Sequence, residues 1–144
     1  MKIKFKKLIS DAICPTYGTE FSAGADLYSV NDDTVVAVGE TALIHTGIAV
    51  EIPEGYVGLI FARSGLATKK GLAPANKVGV IDADYRGELM VALYNQSNEE
   101  RTVTKGERIA QMAIVPFLKA EYEEADELSD TVRGEGGFGS TGSK

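Results

Sequence analysis

A chain of 144 residues, 44% hydrophobic and 25% charged, is sized for one domain and too apolar for general disorder. Its net charge of −6 excludes a broad nucleic-acid surface, which needs basic residues, but leaves room for a small phosphate ligand held by local cations. The single cysteine, Cys14, excludes an intrachain disulfide, and no run approaches the ~18 apolar residues of a membrane-spanning helix, so a soluble cytoplasmic protein is expected.

The elements read as one short strand after another. Residues 2–9 alternate apolar and Lys, which marks a strand and not a signal peptide. Further strands are expected over 25–29, 34–38, 41–52, 56–62, 78–81, 88–95, 101–104 and 109–118. Turn residues separate them, among them Asn31-Asp32-Asp33, Pro53-Glu54-Gly55 and Lys105-Gly106-Glu107. Glycine is plentiful, 16 of 144 residues, about 11% against a usual ~7%. This pattern predicts an all-β fold, a distorted antiparallel β-barrel or jelly roll. One short helix is expected, with Ser64 as N-cap, Lys69 and Lys70 in the last turn and Gly71 as the stop. The barrel domain is read as 1–130. Residues 131–144, Gly-rich yet carrying Arg133 and Phe138, are read as a mobile C-terminal arm.

Several stretches carry residue types suited to chemistry. The stretch 79–88, Gly-Val-Ile-Asp-Ala-Asp-Tyr-Arg-Gly-Glu, reads as a hairpin tip presenting Asp82, Asp84 and Tyr85; a plain turn needs the Asp and Gly but no large ring. Arg63, Ser64 and Gly65 follow an apolar strand and open the expected helix. They read equally as a phosphate site or as an ordinary cap with a solvated Arg. Asp26 opens a strand, where a turn role is the simpler reading. Gln111 sits inside an apolar strand and faces either solvent or a ligand. The Gly-rich tail lacks the Lys and the strand–helix context of a phosphate-binding P-loop. His45 has no second His or Cys cluster to make a soft metal site, and Cys14 has no His partner to activate it, so both are read as structural. Together these pieces suit a nucleotide polyphosphate, with neither base nor reaction specified.

Five stretches, in this order, resemble the five motifs of the trimeric deoxyuridine triphosphatase family: AGADLYS at 23–29, ARSGLA at 62–67, GVIDADYRGE at 79–88, RIAQMAIVP at 108–116 and RGEGGFGSTG at 133–142. The resemblance spans nearly the whole chain. It implies a jelly-roll barrel, a homotrimer and an active site built from three subunits. One gives the first, second and fourth motifs, another the third, and the last lends its arm.

The resemblance further implies hydrolysis of dUTP to dUMP and pyrophosphate with Mg²⁺. Asp82 would be the general base. Asp26 would reach the metal through water. Arg63, Ser64, Gly65 and Gln111 would hold the α- and β-phosphates. Tyr85 would pack under the deoxyribose, and Asn76 with the backbone at Met90 would read the uracil edge. Arg133, Gly139, Ser140 and Thr141 would hold the γ-phosphate, and Phe138 would stack on uracil. A dCTP deaminase on the same fold and a non-catalytic binding protein are the rival readings. Retention of Asp82, Tyr85, Gln111 and the arm together favours the diphosphatase.

Overall fold

The computed structural model describes residues 1–137. Its strands are β1 (Lys4–Lys7), β2 (Thr16–Tyr17), β3 (Ala25–Tyr28), β4 (Thr34–Val36), β5 (Thr41–Glu51), β6 (Tyr56–Phe61), β7 (Leu72–Pro74), β8 (Gly79–Ile81), β9 (Glu88–Asn95), β10 (Arg101–Val103) and β11 (Arg108–Pro116). They form a four-stranded sheet in the order β1-β5-β9-β7, a five-stranded sheet in the order β2-β3-β11-β6-β8, and a two-stranded ribbon of β10 and β4. The strand pairs are antiparallel, as expected for an all-β jelly roll with short loops.

The core is shared by all three sheets. Leu27, Val36, Ile44, Leu89, Val103 and Ile109 are almost fully buried within one cluster. β9 shows how the sequence produces this. Leu89, Val91, Leu93 and Asn95 point inward, while Met90, Ala92 and Tyr94 turn away, the period of two that a half-buried strand requires. Asn95 is polar and wholly buried, yet satisfied. Its amide donates to the carbonyls of Val36 and Glu99 at 2.9 Å, and its oxygen accepts from Ser97.

Two expectations need correction. The helical turn spans Leu66–Lys70 and is of the wide π type, with the Gly71 N–H donating to the Leu66 carbonyl and Gly71 at φ +67. Gly65, not Ser64, stands at its N-cap, with no side-chain capping bond. The stretch 79–88 is not a hairpin. β8 pairs with β6 in the five-stranded sheet, whereas β9 pairs with β5 and β7 in the other sheet. The residues between are a crossover from one sheet to the next. Sequence alone shows two apolar runs around a polar connection, and that pattern is the same for a hairpin and for a crossover.

Candidate active site

Three adjacent strands of the five-stranded sheet, β3, β11 and β6, deliver three of the five motifs to one place. Gln111 on β11 lies opposite Asp26 on β3 and opposite Phe61 on β6, two residues before Arg63. Arg108 and Gln111 are three apart, so a regular strand would point them to opposite faces. A bulge prevents this. Arg108 pairs with Tyr28 and Ala110 with Leu27, so β11 carries one extra residue there. Ile109 and Ala110 are both buried as a result, and Arg108 and Gln111 line the same cleft.

That cleft, about 370 Å³, is lined by Gly24, Asp26, Arg63, Ser64, Arg108 and Gln111 among others. Asp26, 8% exposed, is its electrostatic centre. The Arg63 Nε donates to one carboxylate oxygen at 2.7 Å and the Arg108 Nη1 to the other at 3.2 Å. One carboxylate thus aims two guanidinium groups, and the pair brings net positive charge to the cleft. The Gln111 amide donates to the Ala62 carbonyl at 2.9 Å, which leaves its oxygen free to accept. Ser64 is exposed, and among the described residues its hydroxyl bonds to no neighbour. Arg108 stands in the fourth motif but has no part in the sequence reading. Its signal was an Arg heading a strand that also carries Gln111.

The third motif is placed elsewhere in the chain. Gly79 pairs with Ile60 and Ile81 with Gly58, so β8 runs back along β6 away from Arg63. Asp82 therefore emerges level with Val57, six residues from Arg63, or ~20 Å at ~3.3 Å per residue. Asn76, Asp82, Tyr85 and Met90 do not line the cleft. Within the crossover, the Tyr85 N–H donates to the Asp82 carbonyl at 3.1 Å and the Arg86 guanidinium to the Ala83 carbonyl at 2.6 Å. The Tyr85 hydroxyl donates to the Glu88 carbonyl at 2.9 Å, and its ring lies over Gly87, where a Cβ would overlap it. Asn76 is exposed in the turn before β8, beside Lys77 at φ +66.

Arg133 belongs to an exposed turn, its Nε donating to the Gly136 carbonyl at 2.7 Å. Phe138, Gly139, Ser140 and Thr141 lie outside the described residues. Among the described residues, no three His, Cys, Asp or Glu side chains gather as a metal-ligand set. Asp26 is the only carboxylate in the cleft lining, and each oxygen keeps a lone pair beyond its arginine. These donors fit a hard cation held mainly by ligand phosphates and water, with Asp26 reached through water.

His45, read as structural, does make a structural contact. Its Nδ1 lies 2.9 Å from Glu88 Oε2, and the Gly47 N–H donates to Glu88 Oε1 at 2.7 Å. Burial pushes the Glu88 carboxyl up, but the bonds from His45 and Gly47 outweigh it and hold the group below its ordinary value. Glu107 behaves alike. Burial raises it, while Lys70 at 2.6 Å and the Thr104 N–H bring it below the usual range.

Known proteins place this chain firmly. A sequence model described as dUTPase matches residues 10–142. The deoxyuridine 5′-triphosphate nucleotidohydrolase of Hydrogenobaculum sp. is 55% identical over 144 residues and covers all of both chains. The dUTPase of Staphylococcus bacteriophage 80alpha, solved with dUPNHPP, is 34% identical, with a TM-score of 0.91 over 98% of each chain. A dUTPase from phage phi11 of S. aureus, solved to show coordination of a structural Mg(II) ion, is 28% identical. Its TM-score is 0.82, covering 90% of this chain and 100% of that one. With five ordered motifs, a jelly-roll fold and a cleft that joins three of them, the chain belongs to the dUTPase family.

Proposed function

We propose that this protein hydrolyses dUTP to dUMP and pyrophosphate as a homotrimer, limiting uracil in DNA and supplying dUMP for thymidylate synthesis. The observation that carries the shared site is the register of β8. It sends Asp82 to the far end of β6 from the Asp26–Arg63–Gln111 cleft. This separation supports a reading in which a second copy brings Asp82 and Tyr85 to the cleft and a third lends its arm. A second observation supports assembly. Phe5 and Tyr17 are 45% and 58% exposed beside a groove that also involves Ile3, Val50 and Ile114, apolar surface suited to burial against another copy.

The chemistry follows from the side chains. Arg63, Arg108, Ser64 and the Gln111 oxygen offer charge and hydrogen bonds around the triphosphate, Gln111 through bound water or its reoriented amide. Asp82 takes a proton from a water as that water attacks the α-phosphorus in line. A phosphorus–oxygen bond forms to the water, and the bond to the bridging oxygen breaks with its electron pair leaving on pyrophosphate. When bound, Mg²⁺ supplies charge neutralisation along the phosphates. Tyr85 packs under the sugar where a 2′-hydroxyl would clash, and Asn76 with the Met90 backbone reads uracil. Arg133 and residues 138–141 close over the γ-phosphate and base, which excludes screening water.

The test is pyrophosphate release from dUTP, dTTP, dCTP and UTP in parallel, with Mg²⁺ and with chelator, beside light scattering. Fast Mg²⁺-dependent release from dUTP alone, by a trimer, is expected. Ammonia from dCTP would move the protein to the deaminase branch. A clean, active monomer would overturn the shared site.

A further inference from the structure

We propose that Glu88 is a positioning residue for Tyr85, and through it for the choice of deoxyribose over ribose. The proposal rests on the reading that Tyr85 packs against the sugar.

The β5–β9 ladder breaks where it would fix this region. His45 pairs with Met90, but the next pair is Ala49 with Glu88, so residues 46–48 of β5 have no regular partners on β9. Gly47 sits in this break at φ +64, against Ile9 and Ala12. Side-chain bonds replace the missing ladder. The Glu88 carboxylate accepts from the Gly47 N–H at 2.7 Å and meets His45 Nδ1 at 2.9 Å, while the buried Thr46 hydroxyl donates to the Leu89 carbonyl at 2.6 Å. The first residue of β9 is therefore pinned through its carboxylate.

Tyr85 takes its position from that residue. It is 39% exposed, so core packing does not orient the ring. Its hydroxyl donates to the Glu88 carbonyl, and its ring rests on Gly87. A ring held at its hydroxyl end, between the Glu88 carbonyl and Gly87, presents a fixed face. If Glu88 is released, the acceptor for the hydroxyl shifts with the backbone, and the ring gains freedom to accommodate a 2′-hydroxyl. Met90, two residues on and opposite His45, would shift with it at the base edge.

The experiment compares kcat and KM for dUTP and UTP in wild type, Glu88→Ala, Glu88→Gln, Tyr85→Phe and the Glu88→Ala/Tyr85→Phe pair, each with its melting temperature. Glu88→Ala and Tyr85→Phe should each lower the dUTP-over-UTP ratio of kcat/KM by about tenfold, the scale of one hydrogen bond's loss, and the pair should lower it little further. Glu88→Gln, which still accepts from Gly47, should keep most of the ratio. Equal losses on both nucleotides, or an unchanged ratio in a folded Glu88→Ala, would overturn the proposal. Tyr85→Ala separates the two failures. If it too leaves the ratio unchanged, the sugar-packing reading itself is wrong. If it changes the ratio while Glu88→Ala does not, only the role of Glu88 is lost. Should Glu88→Ala not fold, Tyr85→Phe alone decides: an unchanged ratio overturns the proposal.

Discussion

Gln111 occupies the space that a side chain at residue 24 would need. A Cβ on Gly24 would stand 2.6 Å from Gln111 Oε1 and 3.2 Å from its Cβ and Cδ. The far end of Gln111 can swing, but its Cβ is fixed by the strand. We therefore expect Gly24→Ala to fold and to turn Gln111 off the Ala62 carbonyl. The loss in kcat/KM should reach ~100-fold, the scale of a misplaced positioning group. Steady-state kinetics beside a melting curve checks this. Normal kinetics would show that Gln111 has no fixed task in the cleft.

Asp26 is predicted to matter more as an anchor than as a surface charge. Asp26→Ala would leave two guanidinium groups facing each other without the carboxylate that separates them. Arg108 is half exposed and loses little by hydration, whereas Arg63, whose side chain is 27% exposed, loses more. A destabilisation of about 1–3 kcal/mol is expected, below the value for a fully buried pair. KM for dUTP should also rise, because Arg63 is no longer aimed. Asp26→Asn, which keeps an acceptor for one arginine, should fall between. A variant as stable as wild type would contradict the anchoring role.

These two sites show what the sequence could and could not convey. The strands are legible because β-branched runs and turn residues alternate along the chain, and the bounds expected for β9, 88–95, are those observed. β2 and β7 are not legible, because each is two or three residues long and β7 ends in Pro74, a poor strand signal. The motifs were legible as local strings. Their meeting was not, since the pairing order β3-β11-β6 joins residues 26, 63 and 111 across long separations. The bulge that turns Arg108 toward Gln111 has no signature in Arg108-Ile109-Ala110-Gln111. The crossover of 79–88 has the sequence pattern of a hairpin, because the choice between one sheet and two is made by partners that are remote in sequence.

Acid should weaken the fold through Glu88 and Glu107. Both carboxyls are held below their ordinary value in the folded protein. A depressed folded value gives stability that is fully present above the unfolded value of ~4.3 and is lost as pH falls through the folded one. The melting temperature of wild type should therefore drop between about pH 5 and pH 3. The Glu88→Gln/Glu107→Gln variant should be less stable at neutral pH and should lose less over that interval. Parallel curves for the two proteins would remove these carboxyls as the source.

Asp82 is exposed in the crossover and is not part of the core. Asp82→Asn should leave the melting temperature and nucleotide binding almost unchanged. Turnover should fall by ~10²–10⁴, the usual contribution of a general base. Calorimetric titration with a non-hydrolysable dUTP analogue separates binding from chemistry. Wild-type turnover would remove Asp82 as the base.

Removing residues 131–144 should separate stability from activity. Among the described residues, the last strand ends at Pro116, and the last bond from that region into the barrel is the Phe117 N–H to the Gly55 carbonyl at 3.0 Å. From Leu118 to Glu135 every residue is exposed, Val132 and Leu128 included, so this segment takes little apolar area out of water within one chain. Truncation before residue 131 should thus shift the melting temperature by only a degree or two, since a surface change of ~0.5 kcal/mol moves it by about that much. Turnover should nonetheless vanish, because Arg133 and the segment after it are assigned to the γ-phosphate and the base of another subunit's substrate. Mixing the truncated protein with an Asp82→Asn variant gives the sharper outcome. If the arm and Asp82 come from different subunits, exchanged mixed trimers contain some sites with an intact cleft, an intact Asp82 and an intact arm, and activity returns. If each site is built within one chain, no mixture can restore it.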